Sequence, residues 1–242
     1  MTYWAALSFV LLSACNDSSN KKDKERNEVT SNNNIPIHRT ATLQNEIKKD
    51  SIEYADSTEI LGKTYIAIYT QNDTFCILNE KSDTLFIQKG YTPNFEFVDF
   101  NKDGLNDIRF YYMTMPTSVE DLLLFDKTTM TFKEVENFRD YPGAVKLGKT
   151  KYYYAYQSDG CDDMNWHSDL FYIGDFKIYK IGTISGRECF NRDEKDGIYI
   201  RKISNTKEIL TTTLPIQTLR NYKKHKWGFI KDYWLKNYNK FI

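Results

Sequence analysis

The stretch Phe95-Glu96-Phe97-Val98-Asp99-Phe100-Asn101-Lys102-Asp103-Gly104-Leu105-Asn106-Asp107-Ile108-Arg109-Phe110 alternates apolar and polar residues at both ends and gathers Asp, Asn and Gly in between. Alternation at period two places every second side chain on one face of a strand, and a cluster of Asx and Gly residues turns the chain. The segment therefore predicts a β-hairpin. Upstream, the runs Thr64–Tyr69, Thr74–Leu78 and Thr84–Ile87 repeat the pattern, separated by Gln71-Asn72-Asp73 and Lys81-Ser82-Asp83. Downstream follow Leu122–Phe125, Thr131–Val135, Lys151–Tyr156, Leu170–Ile173, Phe176–Ile184 and Ile198–Ile203. Short strands at close intervals with no helical pattern between them predict a mainly β protein, its antiparallel meanders closed into a small propeller-like, barrel or sandwich domain. With 18 Tyr and 15 Phe in 242 residues, the composition leans the same way.

The rhythm breaks at the C-terminus. Trp227, Ile230, Trp234, Tyr238 and Phe241 recur at steps of three and four, the period of one helical face, with lysines at 226, 231, 236 and 240 on the remaining arc. An amphipathic helix laying two tryptophans on the sheet is expected there, with Gly228 weakening its first turn.

Before the hairpins, Ala5–Leu12 is an apolar run of signal-peptide length, too short to span a bilayer as a helix, ending in Leu12-Ser13-Ala14-Cys15. Residues 1–15 are thus expected to be a signal peptide, although Met1–Trp4 lacks the usual Lys or Arg. Residues 16–45, rich in Asn, Ser, Lys, Asp and Glu, cannot bury enough apolar surface to order themselves and read as a tether. A flexible coil of that length spans roughly 30 Å. One β-rich domain is expected over residues 46–242. Lys plus Arg equals Asp plus Glu at 33 each, so no long-range field favours nucleic acid.

Chemistry concentrates in the hairpin tip. Counting Asp99 as position 1, oxygen-bearing side chains fall at positions 1, 3, 5 and 9 (Asp99, Asn101, Asp103, Asp107), with Gly104 at position 6. Calcium takes six to eight hard oxygens, and alternate residues of a wound loop turn toward a common centre. The backbone carbonyl of Leu105 at position 7 and water complete the expected shell. Position 12 is Phe110 rather than a bidentate glutamate, and the flanks read as strands, which excludes a helix-loop-helix calcium site. An Asx-rich turn that happens to match the spacing is the competing account.

Two resemblances follow from these residues. Leu12-Ser13-Ala14-Cys15 resembles the lipobox of bacterial lipoproteins, which implies acylation of Cys15. The tip resembles the Asp-x-Asp-x-Asp-Gly-x-x-Asp loops of integrin-type propeller repeats, with Asn101 as the one departure. Together with the hairpin Asp121–Asp126 and Thr131-Phe132, the chain looks like a family of Gram-negative lipoproteins that carry a single calcium loop on a propeller-like β fold, some of which act as immunity proteins inhibiting peptidoglycan hydrolases. The likeness spans residues 60–140. It implies Ca2+ at Asp99, Asn101, Asp103, Leu105 and Asp107, a membrane attachment through lipid, residence in the cell envelope facing periplasm or surface, and a hydrolase or effector as protein partner. No inhibitory residue carries over from the family.

Export would make the cysteines informative. Cys161 and Cys189 flank a Gly- and Asp-rich region and are the candidate bridge, with two unpaired thiols as the alternative; Cys76, in an apolar strand, suits a small buried hydrophobe. Between Ser158 and Ser168, the residues Asp159, Asp162, Asp163, Trp166 and His167 form a candidate binding loop. The rival readings there are an envelope enzyme using those acids, or a structural component of an envelope complex. Ser204-Asn205-Thr206-Lys207 matches a Ser-x-x-Lys nucleophile pattern without its companion motifs. Neither a triad, a zinc-protease helix nor a phosphate loop is present in the sequence, so a non-enzymatic protein is expected.

Overall fold

The computed structural model describes residues 51–113, 119–189 and 195–242. Cys15, the 16–45 segment and the start of the expected domain lie outside the described residues. Among the described residues fourteen strands follow one another as antiparallel meanders, which makes the protein mainly β as expected. β1 (Ile52–Ile60), β2 (Lys63–Thr70), β3 (Thr74–Asn79) and β4 (Thr84–Lys89) form the first sheet. The second contains β5 (Phe95–Val98), β6 (Asp107–Tyr112), β7 (Val119–Asp126) and β8 (Thr131–Glu134). In the third, β9 (Val145–Lys146), β10 (Tyr152–Ser158), β11 (Trp166–Gly174), β12 (Lys177–Arg187), β13 (Gly197–Ser204) and β14 (Lys207–Leu214) run in sequence order.

These sheets do not close into a barrel. They stack, and the alternation of side chains along the strands shows how. On β7, Leu123 and Phe125 enter the core shared with the first sheet, whereas Leu122 and Leu124 enter the core shared with the third. Both faces of β7 are consequently buried, which is why Leu122–Phe125 within it is an unbroken apolar run rather than an alternating one. Likewise Tyr153 and Phe171 face the second sheet, while Tyr152, Trp166 and Leu170 face a third core beneath the C-terminal helix. The order of layers is first sheet, second sheet, third sheet, helix.

That helix, α1 (His225–Asn237), buries Phe229, Ile230 and Trp234, and Trp234 donates its indole N–H to Ser168 Oγ at 3.0 Å. Trp227 departs from the expected face. It is 49% exposed and rests on Tyr156, ring centroids 4.1 Å apart, because the helix begins there with an irregular turn. Lys224 and His225 both have positive φ, and Gly228 lets the Lys223 carbonyl come so close that a Cβ would lie 2.1 Å from its oxygen. The buried stripe is rotated to Phe229, Ile230 and Trp234 as a result.

Two glycines on β12 seat the large rings. A Cβ on Gly186 would stand 2.3 Å from the Trp166 ring directly across the ladder, and one on Gly182 would stand 2.4 Å from Phe241. β1 and β14 had no counterpart in the apolar pattern. Each is an edge strand, largely exposed, with too few apolar residues for periodicity to register. The Ser-x-x-Lys match resolves into the β13–β14 hairpin, where Asn205 and Thr206 both take positive φ, the requirement of a tight two-residue turn.

Candidate functional site

Loop 99–107 joins β5 to β6 and is wound around its own polar side chains. Asp99 accepts from the N–H groups of Asp103 (3.0 Å) and Gly104 (3.2 Å), Asn101 Oδ1 from Asp103 N (2.9 Å), and Asp103 Oδ1 from Leu105 N (2.9 Å). Positive φ at Lys102 and Gly104 makes the winding this tight. Asp107 differs from the others. Wholly buried, it accepts from Phe125 N at 2.9 Å, Phe100 N at 3.1 Å and Asn101 N at 3.3 Å, so it holds the loop to the neighbouring strand β7. Burial pushes its carboxyl up to about 7, against the lowering effect of those backbone hydrogen bonds.

The loop is gripped by all three sheets. Leu105 enters the core between the first and second, and Asn106 donates to Thr58 Oγ1 of β1 at 2.7 Å. On the other side Phe100 stacks on Tyr153 of β10 (5.2 Å, 4° between planes), and Lys146 of β9 donates to the Asn101 carbonyl. Burial first, then the charges of Asp107, Asp103 and Asp99, keeps the Tyr153 phenol protonated.

Asp99, Asn101 and Asp103 bring hard side-chain oxygens to the tip, and their hydrogen bonds to backbone N–H groups leave further lone pairs. Three of the roughly four acceptor sites of Asp107 are taken by backbone N–H groups. Among the described residues no three His, Cys, Asp or Glu side chains gather as a metal-holding group, so the structure brings Asp99 and Asp103 together around the tip and sets Asp107 beneath them.

Asp159, Asp162, Asp163, Trp166 and His167 occupy the β10–β11 connection and the start of β11. Cys161 is bonded to Cys189, with Cα atoms 6.2 Å apart, which ties this connection to the end of β12. Cys76 is a buried free thiol, its pKa pushed up to about 11 by burial. Asp159 lies between His167 Nδ1 and Arg187 Nη1, each at 2.7 Å. Asp163 receives Lys226 of α1 and the Tyr156 hydroxyl, and Lys226 also donates to its backbone carbonyl at 2.8 Å. Burial acts to raise the Asp163 pKa, yet hydrogen bonds from Lys226 and Tyr156 outweigh it and the net shift is downward. Asp162 is exposed at the tip.

Lys226 could not be connected to Asp163 from sequence, because 63 residues separate them. The link matters, since it makes the candidate loop one wall of a cavity of about 690 Å³ whose other wall is the start of α1 and the turn before it. Trp166 lines this cavity from below and Trp227 from the side.

No protein-family model and no curated protein matches the chain. One similar solved structure is that of a Xanthomonas type IV secretion system related protein, with 12% identity, a TM-score of 0.46, and coverage of 65% of this chain and 93% of that one. Neither of the first two comparisons brings up the lipoprotein family that the calcium loop resembles. Among the described residues no helix is long and apolar enough to cross a membrane.

Proposed function

We propose that this chain is a lipid-anchored, calcium-stabilised binding protein of the cell envelope that blocks a peptidoglycan hydrolase or effector by surface complementarity, as an immunity protein does, and that it turns over no substrate. The observation that carries the choice of binding over catalysis is the state of the acids in the 159–163 connection. Asp159 and Asp163 are each held between two donors, and the net shift of Asp163 keeps it ionised at neutral pH, whereas a general acid needs a carboxyl raised toward the working pH. Their hydrogen bonds brace the β10–β11 connection.

The calcium part of the proposal rests on loop 99–107, between β5 and β6 of the second sheet. Asp99, Asn101 and Asp103, with the Leu105 carbonyl, would hold the ion, and Asp107 would add its negative charge from below. An ion there would offset the repulsion of the carboxylates and, because the loop touches every sheet, stiffen the whole stack. Attachment to the envelope rests on Leu12-Ser13-Ala14-Cys15.

The test uses the purified full chain in detergent with a panel of peptidoglycan hydrolases. Lysis should slow on adding the protein in calcium and recover in chelator. Undiminished lysis across the panel at saturating protein overturns the inhibitory reading; loss of an intrinsic hydrolytic activity in Asp162→Asn or Asp163→Asn would establish the enzyme instead.

A further inference from the structure

The cavity between the disulfide-tied loop and the start of α1 has a chemistry of its own. Its walls are apolar where Met164, Ile216, Leu219 and the two tryptophans contribute, and its rim is basic through Arg220 and Lys224. Lys226 is already matched by Asp163, so among the described lining residues Glu188 is the acid left beside those two cations. The N-terminal end of α1 opens at the same place, with no side-chain cap from Lys224 and no acidic residue in its first turn. A thirteen-residue helix presents partial positive charge at that end, which favours an anion.

The second observation is the pair of tryptophans in the lining, one buried and one half exposed. Trp166 is fully buried, lines the cavity, and its indole Nε1–H has no hydrogen-bond partner among the described residues. Its indole edge packs on Gly186 of β12, which fixes the ring where it lines the cavity. Trp227 adds a flat apolar surface, 49% exposed and fixed from behind by Tyr156. Tryptophans at a solvent boundary more often cover core than expose half their area.

Among the described lining residues Arg220, Lys224 and Lys226 outnumber Asp163 and Glu188 around an apolar slot, which selects a ligand that is anionic and also carries an apolar face. We propose that this cavity binds an anionic sugar, its carboxylate or phosphate met by Arg220, Lys224 and the N-terminal end of α1, and its ring face laid on Trp227. At about 690 Å³ the space suits one or two sugar rings. The Cys161–Cys189 bond and the Lys226–Asp163 pair hold the walls in place before the ligand arrives, which lowers the ordering cost of binding. The site is remote in role from loop 99–107, and its failure would leave the calcium reading standing.

Titration calorimetry on the full chain tests the proposal with glucuronate and glucose 6-phosphate as probes, and with methyl glucoside and inorganic phosphate as the ring alone and the anion alone. Saturable binding of at least one acidic sugar is expected, weakened about tenfold or more (about 1.4 kcal/mol) by Trp227→Ala and by Arg220→Gln. The two acidic probes separate carboxylate from phosphate as the source of the charge. No saturable heat with either acidic sugar overturns the proposal, as does equal binding of methyl glucoside or of inorganic phosphate, or indifference to both substitutions. Should Trp227→Ala lower the unfolding temperature, Arg220→Gln, at an exposed position, decides the matter alone.

Discussion

Substituting Asp103→Asn removes one negative charge from the tip of loop 99–107 and almost nothing else. The side chain is exposed, and its structural duty is to accept Leu105 N at Oδ1, 2.9 Å away, which an asparagine oxygen does as well. Its second oxygen accepts from the Asn101 amide at 3.2 Å, an exposed contact that the substitution gives up. In chelator the cost should therefore stay within about 0.5 kcal/mol, the range of surface substitutions. In calcium the account differs. At a hundredfold excess over Kd, a bound ion stabilises the folded state by about 2.7 kcal/mol, and a tenfold weaker site forfeits about 1.4 kcal/mol of that. For a domain of this size, one kcal/mol moves Tm by roughly 2–4 °C, so the variant should melt about 3–6 °C below the parent in calcium and within about 2 °C of it in chelator. Differential scanning calorimetry of both proteins, with and without calcium, gives the four melting points needed. Equal losses in the two conditions would show that the loop is a hairpin turn and nothing more, and an unchanged parent Tm on adding calcium would remove the ion altogether.

Other outcomes concern the C-terminal half. Replacing Cys161 and Cys189 together by serine reopens a connection of 28 residues, and the loop-entropy argument puts the loss near 3–4 kcal/mol; urea unfolding under oxidising conditions should show it, and a loss below about 1 kcal/mol would mean that the connection is held by its ion pairs instead. The Asp163–Lys226 contact has a definite pH sign. Since the folded pKa of Asp163 is depressed, its contribution is present above the ordinary carboxylate pKa near 3.9 and is lost as pH falls through the lower folded value. Lys226→Met should accordingly lower stability at pH 7 and flatten the acid limb below about pH 4, read by tryptophan fluorescence. A parallel displacement of the whole pH curve would show that Lys226 acts by packing alone.

Phe95–Phe110 was legible because its information is local. Alternation, an Asx-rich middle and one glycine specify a hairpin whatever surrounds it, and the structure places β5 and β6 on either side of the loop. The edge strands β1 and β14 were not legible, for a strand that buries little of either face has no reason to carry the pattern. For α1 the period was visible but the phase was not, since the close approach of Gly228 to the Lys223 carbonyl turns Trp227 outward while the spacing of three and four is kept.

By itself, the sequence determined the meander character, the place of the hairpin tip and the run of Asp and Asn side chains at it, all properties of residues a few positions apart. Only the tertiary structure decided that Asp107 looks inward to three backbone N–H groups, that loop 99–107 is held by every sheet, and that Lys226 meets Asp163 to wall a cavity over Trp166. Those contacts join segments up to 63 residues apart, and they exist because Leu122–Phe125 of β7 and Leu170-Phe171 of β11, with apolar side chains on both faces, could bury themselves only by stacking one sheet on the next.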